Sequence, residues 1–252
     1  MAPRLAGSPR VNGHRDYVIK AIIFGLTGPL DDRTYTDVMI PMGSNPDDWV
    51  ASVASYVRTN FGNTGGLVTA ADVKRVRDAN TARKAPWTIP DLQASLPKVL
   101  LSDPSWKLTA SHNPAAAAAA LSMAAWNSQT PQAPGMWFQI ELPKPVTITE
   151  VQFESTAAGG RGGGGRGAQQ PGAAPPPPPQ PGYPRGYKVE TSMDGTSWKT
   201  VAEGTGAGVT TSISFAPVQA TFVRLTQTST TENAPVWSIQ QLRLFEPGRP
   251  AN

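Results

Sequence analysis

Few side chains in the chain could carry catalytic or metal chemistry, and their types exclude several kinds of site. The 252 residues include no cysteine and only two histidines, His14 and His112. Disulfides, zinc–thiolate sites, iron–sulfur clusters, cysteine nucleophiles and multi-histidine metal sites are therefore excluded. A hydrolase would need a base beside a nucleophile, and both histidines stand in loop-like sequence. The chain is therefore predicted not to be an enzyme.

Adjacent carboxylates occur at Asp31-Asp32 and at Asp47-Asp48. A glycosidase needs an acid and a base that face each other across the scissile bond. Two neighbours in sequence do not face each other in this way. The first pair is typical of a turn, and the second is typical of a helix start, where acidic side chains lie near the positive end of the dipole. Both pairs are interpreted as structural.

Charge and hydropathy limit the partners. The net charge of +4 is spread thinly and forms no basic run of the kind that follows a phosphate backbone. No apolar run approaches the ~20 residues that cross a bilayer. The N-terminal sequence MAPRLAGSPRVNG lacks the apolar centre of a signal peptide. We expect no nucleic-acid partner and no membrane span.

The elements that would position these side chains fall into two groups. Residues 1–85 are predicted to form a small all-α region with a thin core, from apolar residues at helical spacing. Asn45 is the predicted N-cap of the second helix, and Trp49 is placed on its apolar face. The predicted helices are Arg15–Leu26, ended by Gly28-Pro29; a second that starts at Pro46 and ends before Gly62; and a third that starts at TAAD (69–72), a variant capping box.

Residues 106–247 alternate with period two and predict a β-sandwich or jelly roll. Asp194-Gly195 is a strong turn signal. A proline-rich connector is predicted at 86–105, and a disordered loop at 159–184, where glycine and proline dominate. The alternative interpretation is that this loop is a proline-rich ligand for the aromatic grooves of other proteins. The seven strand candidates are 136–142, 146–155, 187–193, 198–204, 210–215, 221–228 and 237–245.

This half of the chain resembles the coagulation factor V/VIII type C, or discoidin, family. The motifs that carry the resemblance are WKLTASHN (106–113), MWFQIELPKPVTITEVQF (136–153), YPRGYKVETSMDGTSWKTVAEG (183–204), ATFVRLTQT (220–228) and WSIQQLRLF (237–245). The resemblance implies an eight-stranded, galactose-binding-like jelly roll. It also implies loops at one end that bind carbohydrate, a cell surface or lipid headgroups.

The resemblance places six candidate ligand-binding residues on or near loops: His112, Asn113, Trp126, Arg185, Asn233 and Trp237. An aromatic ring stacks on the apolar face of a sugar, and amide or guanidinium groups bond its hydroxyls. For each residue, a purely structural role is the alternative. The loop 119–128 has no carboxylate, and Gln240 and Gln241 stand where the family often has glutamate. Because calcium needs carboxylate oxygens, we expect a weak calcium site or none.

The helical region resembles the C-terminal part of bacterial class I cytochrome c domains, as found fused to quinoprotein or sorbosone-type sugar dehydrogenases. The matching pieces are PRLAGSPRVNG (3–13), IIFGLTGPL (22–30), MIPMG (39–43), DDWVASVASYVRTNFGN (47–63) and VTAADVKRVR (68–77). The resemblance implies that Met39, or failing that Met42, corresponds to the axial methionine. The C-x-x-C-H motif that attaches haem is absent, and His14 stands at the wrong place to replace it. No cofactor is therefore expected in this chain, and haem c only in a longer parent protein.

Two functions follow from these resemblances. The first is a non-catalytic module that recognises a glycan or cell-surface component, appended to a truncated cytochrome c domain. The alternative is an electron-transfer segment of a longer haem c protein fused to a quinoprotein or sugar dehydrogenase. Since both families are exported, the resemblances imply a periplasmic or cell-surface location.

Overall fold

A computed structural model of the chain describes residues 4–30, 33–34, 37–155, 180–206 and 208–249. They form two compact units, Met1–Lys98 with Pro247–Asn252, and Val99–Glu246. We call them the helical unit and the β unit. The segment 86–105, which the sequence predicts to be a connector, is divided between the two. Residues 159–179 of the predicted Gly/Pro loop lie outside the described residues, as does Asp31-Asp32.

The described residues of the helical unit form five helices and two pairs of very short strands. Strands β1 and β4 pair in parallel, and β2 and β3 pair antiparallel. The helices are α1 (Pro9–Asn12), α2 (Arg15–Phe24), α3 (Asp47–Thr59), α4 (Ala70–Ala79) and α5 (Ile89–Ala94), and the strands are β1 (Leu26–Thr27), β2 (Pro29–Leu30), β3 (Arg33–Thr34) and β4 (Trp87–Thr88).

The three predicted helices are present, but some of their ends differ. Helix α2 ends before Gly25, whose φ of 75° is in the left-handed region that favours glycine. Asn45 does not cap α3, because its amide donates to the carbonyl of Met42 at 3.0 Å. Trp49 is 40% exposed rather than on the buried face. The capping box of α4 is confirmed, with Thr69 and Asp72 bonding each other's backbone N–H groups.

The core of the helical unit is completed by residues from the predicted connector. Ile19 of α2, Val50 of α3 and Val73 of α4 are fully buried. Trp87 and Leu92 are buried in the same cluster. The core is therefore larger than residues 1–85 alone would provide, because α5 and β4 pack on the helices.

Lys20 makes the stability of this unit depend on pH. Its buried ammonium group donates to Ser95 O at 2.9 Å and to Ser95 Oγ at 2.8 Å. Burial lowers the pKa of Lys20 to about 8, from the usual 10.5. Between these two values the unfolded chain holds a proton that the folded chain has released, so stability rises with pH across the window. Below pH 8 the buried charge costs up to about 3 kcal/mol.

We therefore expect denaturant unfolding of the full chain to show the helical unit gaining about 2–3 kcal/mol between pH 7.5 and pH 10.5 relative to Lys20→Met. The comparison with the variant removes the contributions of all other titrating groups. Parallel pH profiles of the two proteins would show that the Lys20 proton is not released in this range.

The β unit is mainly β, and the pairings described among its strands from Lys107 onward are antiparallel. The eight strands belong to one connected sheet system. A 3-10 helix covers Pro114–Leu121, where the alanine run lies. The strands are β5 (Lys98–Leu100), β6 (Lys107–Ala110), β7 (Trp126–Pro131), β8 (Trp137–Glu154), β9 (Gly186–Ser192), β10 (Lys199–Gly204), β11 (Thr210–Ser229) and β12 (Val236–Glu246).

Two long strands build the sandwich. The first part of β8 pairs with β6 and with the end of β11, while its second part pairs with β12 and with the start of β11. Each of these strands was predicted as two shorter ones. The register of β11 against β8 shifts twice, beside the exposed Pro143–Pro145 stretch. Each of these two strands therefore contributes to both layers of the sandwich. Between the layers lies a single apolar core that includes Phe138, Phe153 and Leu225.

Candidate functional site

The sheet brings four connections of the β unit to the same end. β6 ends where β8 begins, at the pair Ala110 and Phe138. β11 ends where β9 begins, at Ser229 and Gly186, and β7 ends where β12 begins, at Pro131 and Val236. We call residues 111–113, 132–136, 180–185 and 230–235 the loop end.

The segment 180–185 is held to its neighbours by backbone hydrogen bonds. Ser238 N donates to Gly182 O and Gly206 N donates to Pro184 O, each at 3.0 Å. A Cβ on Gly182 would lie 2.4 Å from Val236 O, so this close approach requires glycine. The prediction of disorder was therefore wrong for residues 180–184. Hydrogen bonds to distant residues offset the entropy that this glycine- and proline-rich segment loses when it is ordered.

Tyr183 is the aromatic residue that this segment presents. It is half-buried, and the Arg185 guanidinium lies 3.8 Å from its ring centroid. Arg185 also donates to Tyr183 O at 3.0 Å and to Gln180 Oε1 at 3.2 Å. These contacts make Arg185 a positioning residue for Tyr183. Sequence reasoning singled out Arg185 but missed Tyr183, although the YPR triplet placed the two side by side.

Gln132 joins three parts of the loop end. Its Nε2 donates to Tyr183 O at 2.9 Å, its backbone N–H donates to Pro235 O at 3.3 Å, and its carbonyl accepts from Thr230 Oγ1 at 2.9 Å. Asn233 lies in the connection that follows Thr230. It is exposed and has φ 57°, a left-handed conformation that asparagine tolerates. Asn233 is therefore exposed in the connection whose Thr230 and Pro235 bond Gln132.

His112 and Asn113 lie at the same end but on the far side of the sheet. His112 Nδ1 is 2.9 Å from Ser111 Oγ, which accepts from Trp137 N. Asn113 donates from Nδ2 to Asn127 O at 3.0 Å. Because β8 and β11 lie between β6 and β9, the strand that precedes His112 and the strand that follows Arg185 are three strand spacings, about 14 Å, apart along the sheet. This separation is larger than one sugar ring spans.

Trp126 and Trp237 are core residues. Each is only 1% exposed, and their ring centroids are 5.3 Å apart. Trp126 also packs on Phe138 at 4.9 Å and donates from Nε1 to Asn113 O. Neither indole offers a face to a sugar, which corrects the expectation that they lie on the binding loops. The structure brings Arg185 together with Tyr183 and Gln132, places Asn233 in a connection that bonds Gln132, and sets His112 and Asn113 apart.

A shallow cavity of about 230 Å³ lies at the opposite end, beside the Asp194-Gly195 turn. Asp194 accepts from the backbone N–H groups of Ser197 and Thr196, each at 2.8 Å, and from Ser192 Oγ. These hydrogen bonds, that from Ser197 first, hold the pKa of the Asp194 carboxyl well below its usual range. The carboxylate therefore stabilises the hairpin, and the turn prediction is confirmed.

The helical unit places Met39 and Met42 at its surface, where they are 42% and 44% exposed. His14 begins α2, and its Nδ1 accepts from Asp16 N at 3.2 Å. Since the chain has no cysteine, the residues present do not fit a thioether-attached haem. The described residues contain no group of three or more His, Cys, Asp or Glu side chains that could hold a metal. No helix in the described ranges is long and apolar enough to cross a membrane.

Several solved structures are similar to the chain, whereas no curated protein matches it. A family 32 module, CpGH89CBM32-6 from Clostridium perfringens, is 16% identical with a TM-score of 0.41, covering 59% of this chain and 99% of that one. The family 32 module of C. perfringens NanJ in complex with galactose is 16% identical with a TM-score of 0.40, covering 56% and 93%. The F5/8 type C domain of a Bacteroides fragilis protein is 15% identical with a TM-score of 0.41, covering 61% and 98%.

A family model gives a match within the β unit. It covers residues 175–242, which include Tyr183, Arg185, Asn233 and strands β9 to β11. The family described by this model is the F5/8 type C domain.

Proposed function

We propose that the β unit is a non-catalytic module that binds a carbohydrate through Tyr183 and Asn233 at the loop end, where the buried Gln132 holds the connections together. The observation that carries this proposal is the fixed position of Tyr183 at the loop end, where the connection 230–235 exposes Asn233. A phenol ring can stack on the apolar face of a sugar, while the amide of Asn233 can donate to and accept from its hydroxyls. The family match over residues 175–242 supports it.

The loop end is organised before any ligand arrives. Tyr183 O accepts from Gln132 Nε2, and Arg185 lies over the tyrosine ring. A side chain already held in one conformation loses little entropy on binding. Tyr183 can therefore contribute most of its contact energy to affinity. The sandwich supplies a rigid support for loops that carry the function.

The corresponding prediction concerns Tyr183→Ala. We expect a glycan array probed with the full chain to identify a ligand, and titration calorimetry to show about tenfold weaker binding by this variant. Tyr183→Phe, which keeps the ring, should stay close to the unchanged protein. Galactose-containing glycans belong in the panel, since the NanJ module is described as a galactose complex.

A matched control is Met193→Ala, at an exposed position at the opposite end of the β unit; its affinity should not change. If the full chain binds no polysaccharide, lipid headgroup or cell-wall fraction, the proposed function is wrong. If Tyr183→Ala binds the glycan as well as the unchanged protein does, the loop end is not the site.

A second candidate function is electron transfer within a longer parent protein that carries haem c. The observation in its favour is the apolar stretch Val38, Met39, Ile40 and Met42, all exposed. Contiguous exposed apolar side chains often mark a surface that another segment covers. The nucleotide sequence upstream of Met1 tests this candidate. An in-frame C-x-x-C-H would support it, and no such motif would remove it.

For either function we propose a periplasmic or cell-surface location for the protein, and no cofactor held by this chain alone. A glycan or surface component would be encountered there. Fractionation of cells that express the native gene tests the location. Recovery of the protein only in the cytoplasmic fraction would contradict it.

A further inference from the structure

Trp137 of β8, Arg224 of β11 and Trp198, which directly precedes β10, form one stack on the outward face of the sheet. The Arg224 guanidinium lies 3.9 Å from the centroid of Trp198 and 4.9 Å from that of Trp137. All three side chains are half-buried. They face away from the core, because the neighbouring positions Phe138, Val223 and Leu225 point into it. We call Trp137, Trp198 and Arg224 the outer platform.

Arg224 is fixed by a neutral partner. Its Nε and Nη2 both donate to Gln139 Oε1, at 3.0 Å and 2.7 Å. Gln139 lies directly opposite Arg224 in the register of β8 and β11. The remaining nitrogen, Nη1, makes no hydrogen bond to any residue that the structure describes. The guanidinium is therefore held in place, with one donor group free.

The carboxylates on this face are occupied by other cations. Glu141 pairs with Lys107 at 2.7 Å, and Glu190 pairs with Lys188 at 2.8 Å. Glu190 also accepts from Thr226 Oγ1 at 3.1 Å. Glu203 lies on the edge strand β10 and is level with Thr226 of β11, because both are opposite Lys188 of β9. Glu190 lies opposite Arg224 in the register of β9 and β11, but its Oε1 is 2.8 Å from Lys188 Nζ. Burial lowers the pKa of Arg224, while Glu190 raises it.

The outer platform offers donors without acceptors. Within the described ranges, the indole N–H groups of Trp137 and Trp198 bond no protein group, and each indole can only donate. Together with Arg224 Nη1 they would suit a ligand rich in acceptor oxygens. Hydrogen bonds with an ionised partner are about twice as strong as those between neutral groups, and an anionic oxygen adds direct charge attraction to the guanidinium. The flanking indole rings would suit the apolar face of a pyranose.

We propose that the outer platform is a second carbohydrate site, and that it binds the carboxylate of a uronic acid in a polysaccharide. The sugar ring packs on Trp137 or Trp198, and its carboxylate accepts from Arg224 Nη1. This site lies on the sheet face, whereas the proposed loop-end site lies at the strand ends. Binding at the outer platform goes beyond the proposed function and does not require it.

Affinity electrophoresis of the full chain in polygalacturonate gels tests the proposal. We expect retardation by polygalacturonate and little by its methyl-esterified form, which has no free carboxylates. Arg224→Met should abolish the preference for free carboxylates, and Trp198→Ala should weaken binding about tenfold. Lys144→Ala is the matched control, since it also removes one positive charge, at an exposed position of β8 outside the outer platform; its retardation should be unchanged.

Several results would overturn the proposal. One is equal retardation by the two forms of the polysaccharide in the unchanged protein, a comparison that needs no variant to fold. Others are unchanged binding by folded Arg224→Met, or equal retardation by dextran sulfate, which would indicate general charge attraction. Tyr183→Ala should retain polygalacturonate binding, so failure of the loop-end site would be distinguishable from failure of the outer platform.

Discussion

Trp126→Ala is expected to destabilise the β unit by about 3–5 kcal/mol. The indole is fully enclosed, packs against Phe138 and Trp237, and its N–H satisfies the carbonyl of Asn113. Alanine would leave a cavity between the layers and an unpaired carbonyl. Denaturant unfolding of the full chain, followed by circular dichroism, measures the loss.

Two comparisons make the Trp126 prediction specific. Trp126→Phe keeps an aromatic ring but loses the N–H donor, so it should cost less than the alanine variant. Trp49→Ala removes a tryptophan that is 40% exposed in the helical unit and should change stability by about 1 kcal/mol or less. If Trp126→Ala keeps full stability but loses glycan binding, the side chain contacts ligand and its burial in the core is wrong.

The helical unit should depend as strongly on Arg58 of α3. The buried guanidinium donates from Nη1 to Val11 O at 2.7 Å and Gly13 O at 2.9 Å, and from Nε to Gly66 O at 2.9 Å. Burial lowers its pKa to about 10. Arg58→Met would leave three carbonyls without this donor, and hydrogen bonds to charged groups contribute about 1.5–3 kcal/mol each. We expect a loss of about 3–5 kcal/mol.

The geometry of Arg58 also predicts the effects of related changes. Arg58→Lys should recover only part of the loss, because one ammonium group cannot reproduce the fork that bonds three carbonyls. Lys74→Met is the matched control. Lys74 forms an exposed pair with Asp78, and such pairs contribute about 0–1 kcal/mol. Equal stability of Arg58→Met and Lys74→Met would contradict the structural role of Arg58.

The elements that sequence reasoning identified were those with strong local signals. The Thr69–Asp72 capping box and the Asp194-Gly195 turn are formed by residues adjacent in sequence, and both are present. Trp49 was predicted to lie on the buried face of α3. Its exposure depends on how far the neighbouring elements extend over the helix, and the apolar pattern of the helix does not show this. The burial of Trp87 and Leu92 was missed because prolines around them made the segment look like a connector.

The candidate site was harder to predict because its geometry depends on long-range contacts. An indole lies in the core or on the outer face according to its place in the strand alternation and the register of β8 against β11. The sequence of a single strand does not show which face is buried. Trp126 and Trp237 were expected at the loops, whereas Trp137 and Trp198 were not considered. The order of residues 180–184 comes from hydrogen bonds to distant connections, such as Gln132 to Tyr183. The glycine- and proline-rich composition of that segment predicts disorder instead.

The most direct test of the central proposal is a backbone amide NMR titration of the full chain with a neutral glycan identified on the array. We predict that the largest shift changes map to the loop end, at residues 180–185 and 230–235 and at Gln132. Residues 192–199, around the turn at the opposite end, should not shift. Changes centred on that turn or on the helical unit, with an unperturbed loop end, would contradict carbohydrate binding at the loop end.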